Sequence, residues 1–195
     1  MPRLPLLLIA AAAMAAIAST GAAAPPDAAP IPSHVDYSGF RKLTDEIAGY
    51  HAGRLVSLTA FKQMAGEDHT LILDARSANA FAAGHIAGAV NLPFTDFTAA
   101  SLAQTIGDPN RRILIYCNNN FRNDAPPVML KSVRLALNIQ TFINLYGYGF
   151  RNVYELGETV DFNDPKVGWV TPGAQAASVE AMKPPPSTRT GSAAS

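Results

Sequence analysis

The stretch that decides the fold is RILIYCNNNFRN, residues 112–123. Its first half is a short apolar, largely β-branched run from Ile113 to Tyr116, which is typical of a buried strand. The run ends at Cys117, the only cysteine of the chain, and three asparagines follow at once. This order predicts a strand that delivers a thiol into a tight loop.

The loop after Cys117 has the composition of an anion-binding turn. Asparagine tolerates left-handed backbone angles, so three in a row can curl the chain and turn successive backbone N–H groups inward. Such a nest of amides binds an anion, for example a thiolate or a persulfide. Arg122 is expected to add positive charge at the mouth and to lower the thiol pKa. The residues expected to bind a substrate are Asn118, Asn119, Asn120, Phe121 and Asn123.

An alternative interpretation is that Cys117 simply packs in the core, because unpaired cysteine is among the most buried residue types. A single cysteine cannot form an internal disulfide, so this residue is either inert or a working thiol. The Asn-rich turn favours the working thiol, since a packed cysteine would not need such a turn directly after it.

Composition limits the class of protein. The 195 residues are 48% hydrophobic and 15% charged, which is enough for one domain with a real core. Fifteen basic and fifteen acidic residues balance, with no basic block, so nucleic acid is not an expected partner. The four histidines share no ligand spacing with the cysteine, so neither a metal nor another cofactor is expected.

The N-terminal residues resemble a secretory signal peptide. Arg3 is followed by an almost wholly apolar run and then by small residues, which predicts a signal peptide over residues 1–24. The apolar run is too short for a stable membrane anchor. The mature protein is therefore expected to be exported to the periplasm, with a flexible linker over residues 25–34 that is rich in Ala and Pro.

Two further segments flank the central part of the chain. Apolar residues recur at intervals of three and four between Tyr37 and Tyr50, which predicts an N-terminal helical extension over residues 35–54. Residues 171–195 are rich in Pro, Ala, Ser and Gly, so a disordered tail is predicted there. Between them, the run from Thr70 to Leu73 predicts a second buried strand, and Asp74 and Arg76 stand at its end.

Several ordered motifs resemble the rhodanese-like domain. They are D-x-R at residues 74–76, F-x-x-G-H-I-x-G-A-x-N-x-P at residues 81–93, the strand that ends in Cys117, and GFRNVYEL at residues 149–156. The resemblance implies an α/β fold over residues 55–170, with a mostly parallel central sheet flanked by helices. It also implies a catalytic cysteine that carries sulfur as a persulfide.

The resemblance and the residues together lead to two functional hypotheses. The first is an exported sulfurtransferase with Cys117 and Arg122 as catalytic residues and a small sulfur-containing anion or thiol as substrate. Asp74, Arg76 and His85 match the family motif and are expected to support the site structurally. The second hypothesis is a non-catalytic module that binds another exported protein, since a fold does not fix a function.

The segment after the loop departs from the family pattern. About a dozen extra residues follow Arg122, including Pro126 and Pro127. Prolines are tolerated in the first turn of a helix, so Asp124 is a candidate cap for a helix through Leu137. An extended flap fits the same residues equally well.

The signal peptide leads to a first prediction. The mature protein should begin near residues 23–25 and be recovered from the periplasm, because the small residues after the apolar run form the cleavage region. N-terminal sequencing of the protein from fractionated cells checks this. Protein that retains Met1 and stays with the membrane fraction would show that the segment is not cleaved.

Overall fold

The computed structural model of the protein describes residues 33–172. The predicted signal peptide, nearly all of the linker and the tail from residue 173 lie outside the described residues. The chain divides into two units at Val35. In the first unit only residues 33–35 are described, and they are exposed. All of the elements below belong to the second unit.

Helices and strands alternate along the second unit, as is usual in α/β proteins. The helices are α1 (Tyr37–Ala52), α2 (Leu58–Ala65), α3 (Ala78–Ala83), α4 (Ala99–Ile106) and α5 (Leu137–Gly147). The strands are β1 (Leu55–Val56), β2 (Thr70–Asp74), β3 (His85–Ile86), β4 (Ala89–Asn91), β5 (Arg112–Tyr116), β6 (Val153–Leu156) and β7 (Trp169–Val170). Short 3-10 turns cover Phe94–Asp96, Asn118–Asn120 and Val133–Leu135. No helix of residues 33–172 is both long enough and apolar enough to cross a membrane.

Five strands form the central sheet, in the order β1-β6-β5-β2-β4. All of its neighbouring strands run parallel, and β5 lies in the middle between β6 and β2. A parallel strand in this position is covered on both faces, which explains why its sequence is continuously apolar. Strands β3 and β7 form a separate antiparallel pair. The predicted α/β fold with a mostly parallel central sheet flanked by helices is confirmed.

Side chains of the central strands alternate between two hydrophobic clusters. Ile113 and Ile115 of β5 pack in one cluster together with residues of α1, α4 and α5, whereas Leu114 and Tyr116 pack in the other together with Phe61 of α2. This is the two-residue period of a strand. Cys117 continues the strand in an extended conformation (φ −144°, ψ −173°). Its side chain therefore lies on the same face of the sheet as Ile113 and Ile115, which is the face that α5 covers.

The predicted N-terminal helical extension is α1. Asp36 caps it by accepting a hydrogen bond from the backbone N–H of Gly39 at 2.8 Å. Its apolar stripe packs against α5, and Ile47 is the residue of α1 that lies fully inside the core. The opposite side stays in solvent, as an amphipathic helix requires.

The sequence left two alternatives for the segment after the cysteine loop, a helix capped by Asp124 or an extended flap, and the structure shows the extended one. Residues 124–136, here called the strap, contain turns and one 3-10 turn, and α5 begins only at Leu137. Asp124 does not cap a helix, since its carboxylate accepts a hydrogen bond from the backbone N–H of Leu130 at 2.9 Å and closes the strap on itself. Val128 of the strap is fully buried in the hydrophobic cluster on the α2 side of the sheet.

Close packing at one glycine leads to a second prediction. A Cβ atom on Gly84 would lie 2.5 Å from Nε1 of Trp169, so Gly84→Ala should destabilise the fold by about 1–3 kcal/mol through overpacking. Gly49 of α1 has no atom within 4 Å of the corresponding position. Gly49→Ala should therefore stabilise the protein by about 0.5–1 kcal/mol. Urea unfolding measures the free energy of unfolding of both variants. Equal changes in the two variants would contradict the close packing of Gly84 against Trp169.

Candidate functional site

A buried ion pair stands at the carboxyl end of β2. Asp74 and Arg76 have side chains that are 0% and 3% exposed, and their closest N–O distance is 2.6 Å. The guanidinium also donates to the carbonyl of Gly84 at 2.8 Å. Burial favours the neutral guanidine, but the hydrogen bond and charge of Asp74 outweigh it, so the pKa of Arg76 is raised. A charge pair in the core needs this complete set of partners to be tolerated.

Tyr116 links this ion pair to the cysteine. Its hydroxyl donates to the Asp74 carboxylate at 2.5 Å and accepts from the backbone N–H of Ile86 at 3.1 Å. Burial, together with the negative charge of Asp74, raises the tyrosine pKa well above its ordinary value. The hydroxyl therefore stays protonated and keeps donating. Since Tyr116 directly precedes Cys117, the ion pair fixes the point at which the loop begins.

His85 lies in the turn near the ion pair. It is 8% exposed, its Nδ1 is 2.9 Å from the carbonyl of Phe81, and its ring stacks on the Phe81 ring with centroids 3.8 Å apart. It also pairs with Val170 in the β3–β7 ladder. These contacts brace the turn between α3 and β4.

The Cys117 thiol is buried, with 1% of the residue exposed. Burial raises its pKa, and the negative charge of Glu155 acts in the same direction. The backbone N–H groups of Asn138, Asn119 and Leu137 favour the thiolate and lower the pKa, but they do not outweigh burial. Two of these groups belong to the first turn of α5, whose cap residue Ala136 offers no side-chain hydrogen bond. The uncapped first turn of α5 therefore favours the anionic form of the thiol.

The loop itself differs from the predicted amide nest. The backbone N–H groups of Asn120, Phe121 and Arg122 donate to the carbonyls of Cys117, Asn118 and Val160 at 3.1, 3.0 and 2.9 Å. The 3-10 turn and the pairing with the chain near Val160 thus use these donors. The prediction of a lowered thiol pKa was wrong, because burial raises the pKa of Cys117 more than the backbone N–H groups lower it.

Two of the loop asparagines hold the strap. The side chain of Asn118 donates to the carbonyl of Met129 at 2.7 Å. Asn119 donates to the carbonyl of Lys131 at 2.8 Å and accepts from its N–H at 3.1 Å, as a neighbouring strand would. Both side chains had been expected to bind a substrate, but in this structure they bind the main chain of the strap.

The third asparagine organises the loop from inside. The Oδ1 of Asn120 accepts from the backbone N–H of Cys117 at 2.9 Å and from Nδ2 of Asn138 at 3.0 Å. Its Nδ2 donates to the carbonyl of Leu156 at 2.6 Å. The amide thus ties the cysteine to both α5 and β6.

The remaining loop residues point away from the sulfur. Phe121 is fully buried and packs edge-on against Trp169, with ring centroids 5.0 Å apart. Asn123 donates to the carboxylate of Asp161 at 2.7 Å. Arg122 is exposed, and within residues 33–172 its guanidinium makes no hydrogen bond or ion pair. Its charge helps to lower the pKa of Asp161, whereas the groups that shift the pKa of Cys117 do not include it.

Sequence reasoning missed two residues of the site, Asn138 and Glu155. The side chain of Asn138 donates to Glu155 at 3.0 Å, and His51 of α1 lies 2.9 Å from the other oxygen of the same carboxylate. Glu155 lies in the GFRNVYEL motif at residues 149–156, but nothing in the motif indicates its contact with Asn138, because that contact joins separate elements of the chain. Within residues 33–172, no cluster of three or more His, Cys, Asp or Glu side chains is placed to hold a metal ion.

Comparison with known families agrees with this architecture. The family model described as the rhodanese-like domain matches residues 57–158, which is more than half of the chain. The protein therefore belongs to the rhodanese-like domain family, and a sulfurtransferase-family or rhodanese-module role follows from that membership. No curated protein matches the sequence.

Several solved structures are similar at low sequence identity. The rhodanese-like domain of the Alr3790 protein from Anabaena sp., solved by NMR, is 19% identical, with a TM-score of 0.44, and the match covers 73% of this chain and 92% of that domain. The BH2092 protein from Bacillus halodurans is 15% identical, with a TM-score of 0.39, and the match covers 62% of this chain and 74% of that chain. EanB is 21% identical, with a TM-score of 0.39, and the match covers 52% of this chain and 23% of the EanB chain.

The buried ion pair leads to a third prediction. Asp74→Ala should destabilise the fold by about 3–5 kcal/mol, because it leaves the Arg76 guanidinium charged and unpaired in the core. Denaturant unfolding measures the loss. Glu67→Gln is the matched control, because it breaks the 2.5 Å ion pair between Glu67 and Arg112. These side chains are 46% and 27% exposed, respectively, so the variant should lose at most about 1 kcal/mol of stability. Similar losses in both variants would contradict the assigned role of Asp74.

Proposed function

We propose that the protein is an exported sulfurtransferase that carries sulfane sulfur as a persulfide on Cys117. The observation that supports this most is the position of the cysteine, which is buried directly after β5 and whose thiolate is favoured by backbone N–H groups, two of them in the uncapped first turn of α5. Helix N-termini favour negative charge, so the same donors suit a persulfide anion. Membership of the rhodanese-like family agrees with this chemistry.

The proposed reaction has two displacement steps at sulfur. The Cys117 thiolate attacks the outer sulfur of thiosulfate or a similar donor, which forms a new S–S bond, and sulfite leaves with the electron pair of the broken bond. Cyanide or a thiol then attacks the outer sulfur of the persulfide and regenerates the thiolate. The thiol proton leaves to solvent before the first step. The amide N–H groups stabilise the negative sulfur throughout.

Access to the sulfur requires the strap to move. The residue is 1% exposed, and the two asparagines after it hold the strap by three hydrogen bonds. The strap leads directly into the turn of α5 that contacts the thiol. A donor anion therefore reaches Cys117 after the bonds from Asn118 and Asn119 to the strap open.

A second candidate function is a non-catalytic module that binds another exported protein. The raised thiol pKa and the distant guanidinium of Arg122 favour it, because both leave the thiol mostly neutral and unreactive at physiological pH. In that case the strap would bind the partner protein, and the sulfur would remain in the core.

Sulfur loading gives the fourth prediction. Reduced protein incubated with thiosulfate should gain one sulfur atom on the peptide that contains Cys117, as seen by mass spectrometry, and cyanide should remove it. Cys117→Ser should gain none. The loading rate should increase as pH rises through and above neutrality, because the raised thiol pKa leaves little thiolate at lower pH.

The opposite result identifies the binding module. If the folded protein gains no sulfur at any pH at which it stays folded, and its thiol reacts with alkylating reagents only after denaturation, the sulfurtransferase proposal is wrong.

A further inference from the structure

A chain of polar contacts runs from α1 to the cysteine loop. Nε2 of His51 lies 2.9 Å from Oε2 of Glu155, and Oε1 of Glu155 accepts from Nδ2 of Asn138 at 3.0 Å. The same Nδ2 donates to Oδ1 of Asn120 at 3.0 Å, and that oxygen accepts from the backbone N–H of Cys117 at 2.9 Å. Every step of the chain is within hydrogen-bond distance.

We propose that Glu155 is a positioning residue for Cys117 and that it couples the N-terminal helix to the reactivity of the thiol. Its carboxylate holds the Asn138 side chain, which donates to the same Asn120 oxygen that accepts from the backbone N–H of Cys117. His51 holds the carboxylate from the other side. This inference concerns the thiol itself and goes beyond sulfur transfer, so it does not depend on the identity of the donor.

Burial gives these contacts their weight. Asn138 and Asn120 are 4% and 7% exposed, so water cannot replace the bonds that they make to one another and to Glu155. Glu155 itself is only 16% exposed in its side chain. A carboxylate in such a place keeps much of its electrostatic influence, because little solvent screens it.

Charge is the second means by which Glu155 acts. Its negative charge disfavours the thiolate and adds to the effect of burial on Cys117. Around the carboxylate, α1 presents His51 and α5 presents the neutral amide of Asn138, and the thiol of Cys117 follows the end of β5. Arg54, whose carbonyl accepts from the backbone N–H of Glu155, places its guanidinium over two tyrosine rings instead.

The position of His51 gives α1 a role in the site. This residue lies before residues 57–158, the segment that matches the family model. Helix α1 is thus an addition to the domain that reaches the thiol through one carboxylate. Its ring also packs edge-on against Phe142 of α5, with centroids 4.7 Å apart, which keeps it in place beside Glu155.

The test is a pH titration of the thiolate by its ultraviolet absorbance, which needs no reagent to enter the site. The signal is the difference between each protein and its Cys117→Ala counterpart, so tyrosine ionisation cancels. Glu155→Gln keeps the size and the acceptor for Asn138 but removes the charge. It should shift the titration midpoint of Cys117 to lower pH.

Two control variants make the result specific. Glu67→Gln makes the same charge change at the opposite end of β5, beside Arg112, and should leave the midpoint unchanged. His51→Leu keeps the packing on Phe142 and removes the polar contact. It should move the midpoint in the wild-type background and have no effect in the Glu155→Gln background, because it acts through that carboxylate.

Two outcomes would overturn the inference. A Glu155→Gln midpoint equal to that of the wild type would show that the carboxylate does not act on the thiol. A His51→Leu shift of equal size in both backgrounds would show that α1 does not act through Glu155. Sulfur loading plays no part in either measurement, so failure of the sulfurtransferase proposal would leave this result unaffected.

Discussion

The buried ion pair of Asp74 and Arg76 is the interaction on which the site depends. A pair with side chains 0% and 3% exposed is tolerated in the core because the charged atoms of both side chains have hydrogen-bond partners. Its partners come from several elements: the hydroxyl of Tyr116 at the end of β5, and the carbonyl of Gly84 after α3. The network therefore aligns the carboxyl ends of two neighbouring strands and fixes where the chain turns into the cysteine loop.

The chemistry of Cys117 follows from opposing effects at one sulfur atom. Burial and the charge of Glu155 favour the neutral thiol, whereas three backbone N–H groups favour the anion. Two of those groups are available because the strap delays the start of α5 to Leu137 and leaves its first turn without a capping side chain. The inserted segment thus leads into this helix N-terminus, and the two asparagines after Cys117 hold its main chain.

The sequence predicted those features that depend on neighbouring residues. The apolar run before Cys117, the pair at Asp74 and Arg76, and the α/β pattern are all visible in local composition and spacing. Contacts between distant segments were not predictable in this way. The loop composition suggested an amide nest, but pairing of Arg122 with Val160 and the 3-10 turn use those donors. Likewise, the contact of Asn138 with Glu155 depends on the path of the strap, which the prolines alone left open.

The central proposal is that the buried thiol of Cys117 becomes accessible when the strap, which Asn119 holds in place, moves. The direct test is the rate at which a small neutral alkylating reagent modifies Cys117 in the folded wild type and in Asn119→Ala, which loses both side-chain bonds to Lys131. Asn152→Ala is the control, because its side chain bonds to the carbonyl of Asn110, remote from the strap. The account predicts slow modification of the wild type and of Asn152→Ala, and clearly faster modification of Asn119→Ala. Equal rates in all three proteins would contradict it.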